Sequence, residues 1–179
     1  MLIETSVLIS FLKIQRLDLL SKLDRELCIT EEVNAEIRGD RYPFQRQHLE
    51  THLEAGTISI LRIELTETLV LKAKLRALGP FGTGECSTVA KALELGLTCA
   101  MTDIDAIKRF KEFYPELRIV TTSDVFFEML TEGLASVDEV DLVLPSWKFE
   151  AQNPIPGINI SFRELLESEW PMHGIGGIS

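Results

Sequence analysis

Residues 82–113, GTGECSTVAKALELGLTCAMTDIDAIKRFKEF, hold a helix, a short apolar strand and a second helix in succession. The first helix has an apolar stripe at the i, i+3, i+4 and i+7 spacing typical of packing on a core, formed by Cys86, Val89, Ala90 and Leu93. Residues 97–103 form an apolar run of strand length, and residues 104–113 return to helical spacing. A strand between two helices of this length predicts parallel strands joined by right-handed crossovers.

The same alternation extends over the first two thirds of the chain. It predicts five strands, within residues 1–4, 26–30, 57–63, 97–103 and 118–124. It predicts helices between and after them, within residues 6–23 as one helix or two, 31–37, 46–55, 66–78, 84–96, 104–113 and 125–133. Thr30 is the expected N-cap of the helix at 31–37. We therefore predict an α/β fold with a central parallel sheet and helices on both faces.

The composition is that of one globular domain. The chain has 179 residues, of which 45% are hydrophobic and 26% are charged, enough to bury a sizeable core. Its apolar runs stay well short of the roughly 20 residues that cross a bilayer, and the N-terminus lacks the basic start of a secretory signal. We therefore expect a cytoplasmic protein with no membrane partner.

The cysteines and the net charge narrow the possible functions further. Cys28, Cys86 and Cys99 are odd in number and lack the CxxC spacing of a metal site, so we interpret them as small buried hydrophobic residues. The formal net charge of -10 argues against a broad basic surface for nucleic acid. It leaves room for a local basic groove beside an acidic metal site.

The character of the chain changes near residue 135. Four of the seven prolines and both tryptophans lie beyond this point. Residues 136–179 are too few for a second domain, so we predict a core domain at 1–135 followed by a C-terminal extension. The extension is expected to pack on the core or on the partner subunit of a homo-oligomer, most simply a dimer.

Six acidic residues are predicted to meet at one edge of the sheet. The carboxyl ends of parallel strands form a common rim, and ligands of open parallel sheets bind there. Four acids follow predicted strands and two lie on helices that leave the rim: Glu4, Asp103, Asp105 and Asp124, then Glu36 and Glu85. Asp124 is also a candidate N-cap of the helix at 125–133. Ser6 is a candidate N-cap of the first helix or a hydrogen-bond partner of a metal ligand.

Carboxylates gathered in this way require a counterion. Two of them about 5 Å apart repel by roughly 3 kcal/mol at an effective dielectric near 20. Protons or cations must neutralise the cluster, and hard oxygen ligands with few histidines select Mg²⁺ or Mn²⁺. Such ions activate a water and stabilise the oxygens of a phosphodiester displacement.

The motifs that carry these acids resemble those of PIN-domain proteins. The resemblance covers roughly residues 1–135 and rests on LIETSVLI, EEVNAEI, GTGECSTVAKALELG and TDIDAIK, with GINISFRELLES similar to the closing segment of one PIN subgroup. It implies a three-layer α/β/α sandwich and a Mg²⁺- or Mn²⁺-dependent ribonuclease that acts on RNA. Members of this family are often the toxin of a toxin–antitoxin pair, which implies an antitoxin protein as partner.

Carried over position by position, the resemblance implies a set of site residues. The catalytic, metal-binding acids are Glu4, Glu36, Glu85 and Asp103, with Asp105 and Asp124 as auxiliary metal ligands. The candidates for contacts with RNA phosphates are the two basic clusters, Lys72, Lys74 and Arg76, and Lys108, Arg109 and Lys111. Two positions depart from the family pattern: Glu4 stands where aspartate is usual, and Ile104 where a second aspartate is frequent.

Two other functions remain open. The two departures are also consistent with a catalytically silent PIN-like module that binds nucleic acid or a protein. A Toprim-type phosphoryl-transfer site would combine Glu4 with Asp103 and Asp105. That motif usually has glycine after its glutamate, where this chain has Thr5, and it leaves Glu36 and Glu85 without a role.

Overall fold

A five-stranded parallel sheet forms the centre of the molecule. The computed structural model describes residues 1–39, 42–146 and 163. The sheet has the order β3-β2-β1-β4-β5, and every pairing in it is parallel. Its strands are β1 (Leu2–Ile3), β2 (Cys28–Thr30), β3 (Ser59–Leu61), β4 (Cys99–Ala100) and β5 (Ile119–Val120). The predicted parallel α/β fold is confirmed.

Nine helices cover the sheet within the described residues. They are α1 (Thr5–Lys13), α2 (Leu17–Ser21), α3 (Glu31–Arg38), α4 (Pro43–Glu54), α5 (Thr66–Ala77), α6 (Thr83–Leu95), α7 (Ile104–Phe113), α8 (Thr122–Thr131) and α9 (Val137–Ser146). None of the helices in this part of the chain is both long enough and apolar enough to cross a bilayer.

Successive strand residues pack against opposite helical layers. Leu2 and Cys28 lie in a core cluster with α5, α6 and α7, whereas Ile3 and Ile29 lie in a second cluster with the other six helices. Side chains alternate between the faces of a strand, and a parallel sheet buries both faces. The result is the three-layer α/β/α sandwich. Cys28, Cys86 and Cys99 are buried free thiols, as expected.

Local backbone geometry and capping fix the bounds of the helices. One helix or two are predicted within residues 6–23, and the structure has two, separated near Gln15, whose φ of 55° is incompatible with a continuing helix. The helix predicted at 125–133 begins earlier, at Thr122, because Thr121 is its N-cap. Strand β5 therefore ends at Val120, directly before this cap.

The start of the C-terminal extension packs on the core. Val140 and Val143 of α9 are buried in the cluster that contains α1, and Glu139 forms ion pairs with Arg16 and Lys22. The GINISFRELLES segment and both tryptophans lie outside the described residues, as does most of the extension. The domain boundary at 135 stays a prediction.

The strand order creates a crevice between β1 and β4. The chain runs from β1 outward to β2 and β3, then crosses to β4 and β5 on the other side of β1. Loops diverge at such a switch point, and ligands of doubly wound sheets bind there. Glu4 follows β1, and its amide donates to the carbonyl of Ala100 on β4 at 3.1 Å. Glu4 therefore lies at the crevice, and Asp103 follows β4 on its other side.

Candidate functional site

Three of the acids at the crevice are bound to the first turn of a helix. Glu4 is the N-cap of α1, and its Oε2 accepts from the Ser6 amide at 2.9 Å. Asp103 is the N-cap of α7, and its Oδ1 accepts from the amides of Asp105 and Ala106 at 2.9 Å each. Glu85 lies in the first turn of α6 and accepts from the Gly82 amide at 2.7 Å. Helix N-termini stabilise negative charge, which allows these carboxylates to gather.

Glu36 connects three elements. Its Oε1 accepts from the Gly84 amide of α6 at 2.8 Å, and its Oε2 accepts from the Thr5 hydroxyl of α1 at 2.5 Å. Val33 and Ile37 are buried on the core side of α3, so Glu36 lies at the edge of that side. The side chain is exposed, yet both of its carboxylate oxygens have protein donors.

Gly84 is required for this close approach. A Cβ at that position would lie 2.5 Å from the Thr5 hydroxyl and 2.6 Å from Oε2 of Glu36. Any side chain there would push the Glu36 carboxylate out of its position at the N-terminus of α6. The small residue therefore allows α3, α1 and α6 to meet at the rim.

We expect Gly84→Ala to destabilise the fold by about 0.5–1 kcal/mol, because loss of the hydrogen bonds that Glu36 makes to α6 and α1 outweighs the higher helix propensity of alanine. Gly39→Ala is the matched control, since its Cβ would make only an ordinary 3.5 Å contact with the Glu36 carbonyl. That control should be neutral or slightly stabilising. Urea unfolding of both variants is the measurement, and equal midpoints would contradict the expectation.

Ser6 holds the Glu4 carboxylate. The Ser6 hydroxyl donates to the same Oε2 of Glu4 that accepts from the Ser6 amide. The Ser6 hydroxyl oxygen also lies 3.3 Å from the hydroxyl oxygen of Thr102. Of the two roles predicted for Ser6, the structure shows a hydrogen bond to the candidate ligand Glu4 and not the N-cap, because Glu4 itself occupies that position. A hydroxyl two residues into α1 thus orients the acid that precedes the helix.

Burial and mutual repulsion raise the proton affinity of the cluster. Burial raises the pKa of Glu4 to about 7; the Ser6 hydrogen bonds oppose this, and the charges of Glu85 and Glu36 add to it. Burial also raises the pKa of Glu85, with further contributions from Asp103 and Glu36. The four acids are therefore coupled electrostatically.

The donor set is suited to a hard divalent cation. Within the described residues, Glu4, Glu85 and Asp103 each accept hydrogen bonds on one carboxylate oxygen only. The second oxygen of each carboxylate remains for a cation, which would also relieve their repulsion. Glu36 uses both oxygens, and the described side chains contain no group of three His, Cys, Asp or Glu residues already arranged around one ion. A cation held by all four acids would require rotation of their side chains.

The two auxiliary acids have local roles in the structure. Asp105 is exposed in the first turn of α7, and its amide donates to Asp103. The prediction that Asp124 is the N-cap of α8 is wrong, because Thr121 occupies that position. Asp124 lies three residues after the N-cap Thr121 and accepts from the Thr121 amide and hydroxyl at 2.7 and 2.8 Å. Both contacts belong to the capping box of α8.

The first basic cluster lies beside the acids. Arg76 donates to the hydroxyl of Thr83, the first residue of α6, and Lys72 forms an ion pair with Glu32 of α3. Lys74 is exposed. The C-terminal end of α5 therefore adjoins the helices that carry Glu36 and Glu85.

The second basic cluster follows α7 away from the crevice. Arg109 pairs with Glu112 at 2.6 Å and lies 4.7 Å from the centre of the Phe113 ring. Lys108 is exposed and Lys111 is partly buried. These residues are one to two turns beyond Asp103, which begins the helix at the rim.

Sequence reasoning missed three contributors to the site. Thr5, Gly84 and Thr102 contact the acids or their partners through hydrogen bonds between elements distant in sequence. The GTGEC segment indicated a loop followed by a helix, and its pattern holds no signal that the amide of Gly84 meets a carboxylate of α3. Only the packing of the helices reveals these roles.

Comparison with known proteins identifies one family. A protein-family model described as a PIN domain matches residues 1–112 of the chain. A search of curated protein sequences found no match to the chain. The matched range contains the four coupled acids, Glu4, Glu36, Glu85 and Asp103.

Proposed function

Because this chain belongs to the PIN-domain family, we propose that it is a metal-dependent endoribonuclease. The observation that carries the proposal is the set of coupled carboxylates at the switch point between β1 and β4, three of which keep an oxygen without a hydrogen bond among the described residues. The family match favours this function over a Toprim-type site, in which Glu36 and Glu85 would have no role.

We assign the binding of Mg²⁺ or Mn²⁺ to Glu4, Glu85 and Asp103. Glu36 joins them after its carboxylate leaves the amide of Gly84 and the hydroxyl of Thr5. Divalent ions at such a site supply an activated water and stabilise charge on the oxygens of the cleaved phosphodiester. Ser6 orients Glu4, and the first turns of α6 and α7 orient Glu85 and Asp103.

The proposal is tested by incubating the pure protein with an RNA that contains single-stranded loops. We expect cleavage within the loops in the presence of Mn²⁺ or Mg²⁺ and none in EDTA. The double variant Glu85→Ala, Asp103→Ala controls for contaminating nucleases and should be inactive. Wild-type cleavage no greater than that of the double variant would refute a nuclease function.

Mn²⁺ is expected to bind roughly tenfold more weakly at pH 6 than at pH 8, because a carboxylate must lose its proton to ligate the ion. The Glu4 carboxyl, with its pKa raised to about 7, is mostly protonated at the lower pH. Calorimetric titration at the two pH values measures the difference. Equal affinities would show that Glu4 is not a ligand.

A catalytically silent module is the second candidate function. It is favoured by the two hydrogen bonds that hold Glu36 and by the lack, among the described side chains, of a group already arranged around one ion. Calorimetry separates the two functions. A silent module would bind no Mn²⁺, whereas a nuclease should bind Mn²⁺ in a way that Glu36→Ala and Asp103→Ala each weaken.

The family resemblance also supports a role as the cytoplasmic toxin of a toxin–antitoxin pair. An adjacent short reading frame that encodes a DNA-binding protein, and a complex of that protein with this chain, are the expected observations. Size-exclusion chromatography with light scattering tests the proposed homodimer. A lack of any such neighbouring frame would favour the silent module.

A further inference from the structure

Arg76 lies at the junction between α5 and the acid cluster. Its guanidinium donates to the hydroxyl of Thr83 at the start of α6. Thr83 is two residues before Glu85 and adjoins Gly84, whose amide binds Glu36. A positive charge is thereby held at the edge of the carboxylate site.

The guanidinium of Arg76 retains most of its binding capacity. It is exposed, and within residues 1–39 and 42–146 no carboxylate forms an ion pair with it. A guanidinium has five N–H donors in a planar fork that matches phosphate oxygens, and the contact with Thr83 uses one nitrogen. In contrast, Lys72 is paired with Glu32 and Arg109 with Glu112. Arg76 is therefore the member of its cluster that is both held against α6, the helix of Glu85, and open to an anion.

The charges around Arg76 are largely negative and would repel an approaching polyanion. The whole chain has a formal net charge of -10, and its candidate site is itself acidic. A polyanion approaching the site gains from a fixed cation next to it. Burial and the Glu85 charge raise the pKa of the Cys86 thiol, while Arg76 and Lys72 lower it. The negative charge of Glu85 and the positive charges of Arg76 and Lys72 thus all act on the N-terminal part of α6.

We propose that Arg76 binds a phosphate of the RNA backbone beside the cleaved linkage, so that the RNA crosses the C-terminal end of α5 and not α7. This inference rests on the proposed ribonuclease function and specifies the path of its substrate. Oxygens of the bound phosphate would accept hydrogen bonds from the guanidinium, while the Thr83 hydroxyl keeps the Arg76 side chain in place.

Lys74 provides an internal control on the same helix. Lys72 and Arg76 are four residues apart and share one side of α5, whereas Lys74 is about 200° around the helix from Lys72. Replacing Lys74 removes the same charge from the same helix, but on the side that faces away from Glu32 and Thr83.

The experiment measures binding of a fluorescein-labelled oligouridylate by anisotropy, in EDTA so that cleavage does not occur. Arg76→Ala is expected to weaken binding about tenfold and to lower the slope of log affinity against log salt by about 1. Lys74 and Lys108, which the sequence also predicts as RNA contacts, lie off the proposed path, so Lys74→Ala and Lys108→Ala should each change the affinity less than about threefold. Thermal midpoints of all variants are compared, because the exposed Arg76 should be dispensable for folding.

Two results would overturn the inference. Equal losses for Arg76→Ala and Lys74→Ala would show a nonspecific charge effect, and a larger loss for Lys108→Ala would place the RNA along α7. In either case a wild-type protein that still cleaves RNA with Mn²⁺ leaves the nuclease function intact. A wild type that neither binds nor cleaves RNA refutes both proposals.

Discussion

Glu4→Gln is expected to stabilise the protein at pH 8 by about 1–2 kcal/mol and to have almost no effect on stability at pH 5. The Glu4 side chain is 5% exposed, and burial raises its pKa from an ordinary value of 4.5 to about 7. Between these two values the folded protein binds more protons than the unfolded chain. Its stability therefore falls as the pH rises through about 7, by up to about 3 kcal/mol for this one group. Glutamine has nearly the same shape and carries no charge.

Urea unfolding at pH 5 and pH 8 measures this effect. The expected gain is smaller than the full cost of ionisation, because glutamine accepts more weakly from the Ser6 amide and hydroxyl. Asp105→Asn is the control, since it removes an exposed acid outside the coupled set. A Glu4→Gln variant less stable than wild type at pH 8 would show that the ionised carboxylate is favourable in this environment.

The same substitution should reduce Mn²⁺-dependent RNA cleavage by more than about 100-fold. Removing a partner that merely orients a metal ligand costs about 10- to 100-fold, so the loss of a ligand should cost more. Initial rates at saturating Mn²⁺ measure the effect. A stable variant without activity would show that the buried charge is kept for function at the expense of stability. An unchanged rate would show that Glu4 is wrongly assigned.

Phe126→Ala is expected to lower the free energy of unfolding by about 4 kcal/mol, since truncating a buried phenylalanine leaves a cavity. Phe126 of α8 is fully buried, and its ring centre lies 5.7 Å from that of Phe11 in α1. The pair joins α8 to the helix that Glu4 caps. Urea unfolding with an unchanged slope measures the loss.

Phe44→Ala is the matched control for this substitution. Phe44 is 76% exposed on α4, so its truncation should change stability by less than about 0.5 kcal/mol. A loss below about 2 kcal/mol for Phe126→Ala would mean that the surrounding side chains close the cavity.

Element type and order were predictable because they depend on short-range patterns. Thr30 caps α3 through its hydroxyl, as expected, and helix α7 has the predicted bounds, Ile104–Phe113. Helical spacing, strand alternation and capping residues act over a few positions, so they can be read without knowledge of the rest of the fold. The strands are shorter than predicted, because Glu4, Asp103 and Thr121, which lie within the predicted strands, are the N-caps of the helices that follow.

Capping and site formation proved to be compatible. Asp103 is the N-cap of α7, yet one of its carboxylate oxygens has no hydrogen bond among the described residues and is open to a cation. The reason is geometric, because the residue that ends a strand at the rim is also the one that precedes the next helix. Asp124 lies instead within α8, three residues after the N-cap Thr121, and the capping box of α8 accounts for its contacts.

The sequence by itself determined the alternating elements, the parallel sheet and the acids that follow its strands, since each depends on neighbouring residues. Only the tertiary structure decided that Glu36 is held by Thr5 and Gly84, which lie 31 and 48 residues away. It also decided that Arg76, and not Arg109, adjoins the acids. Contacts of this kind depend on how helices pack across the sheet, and the spacing of residues along one helix does not encode where another helix will end.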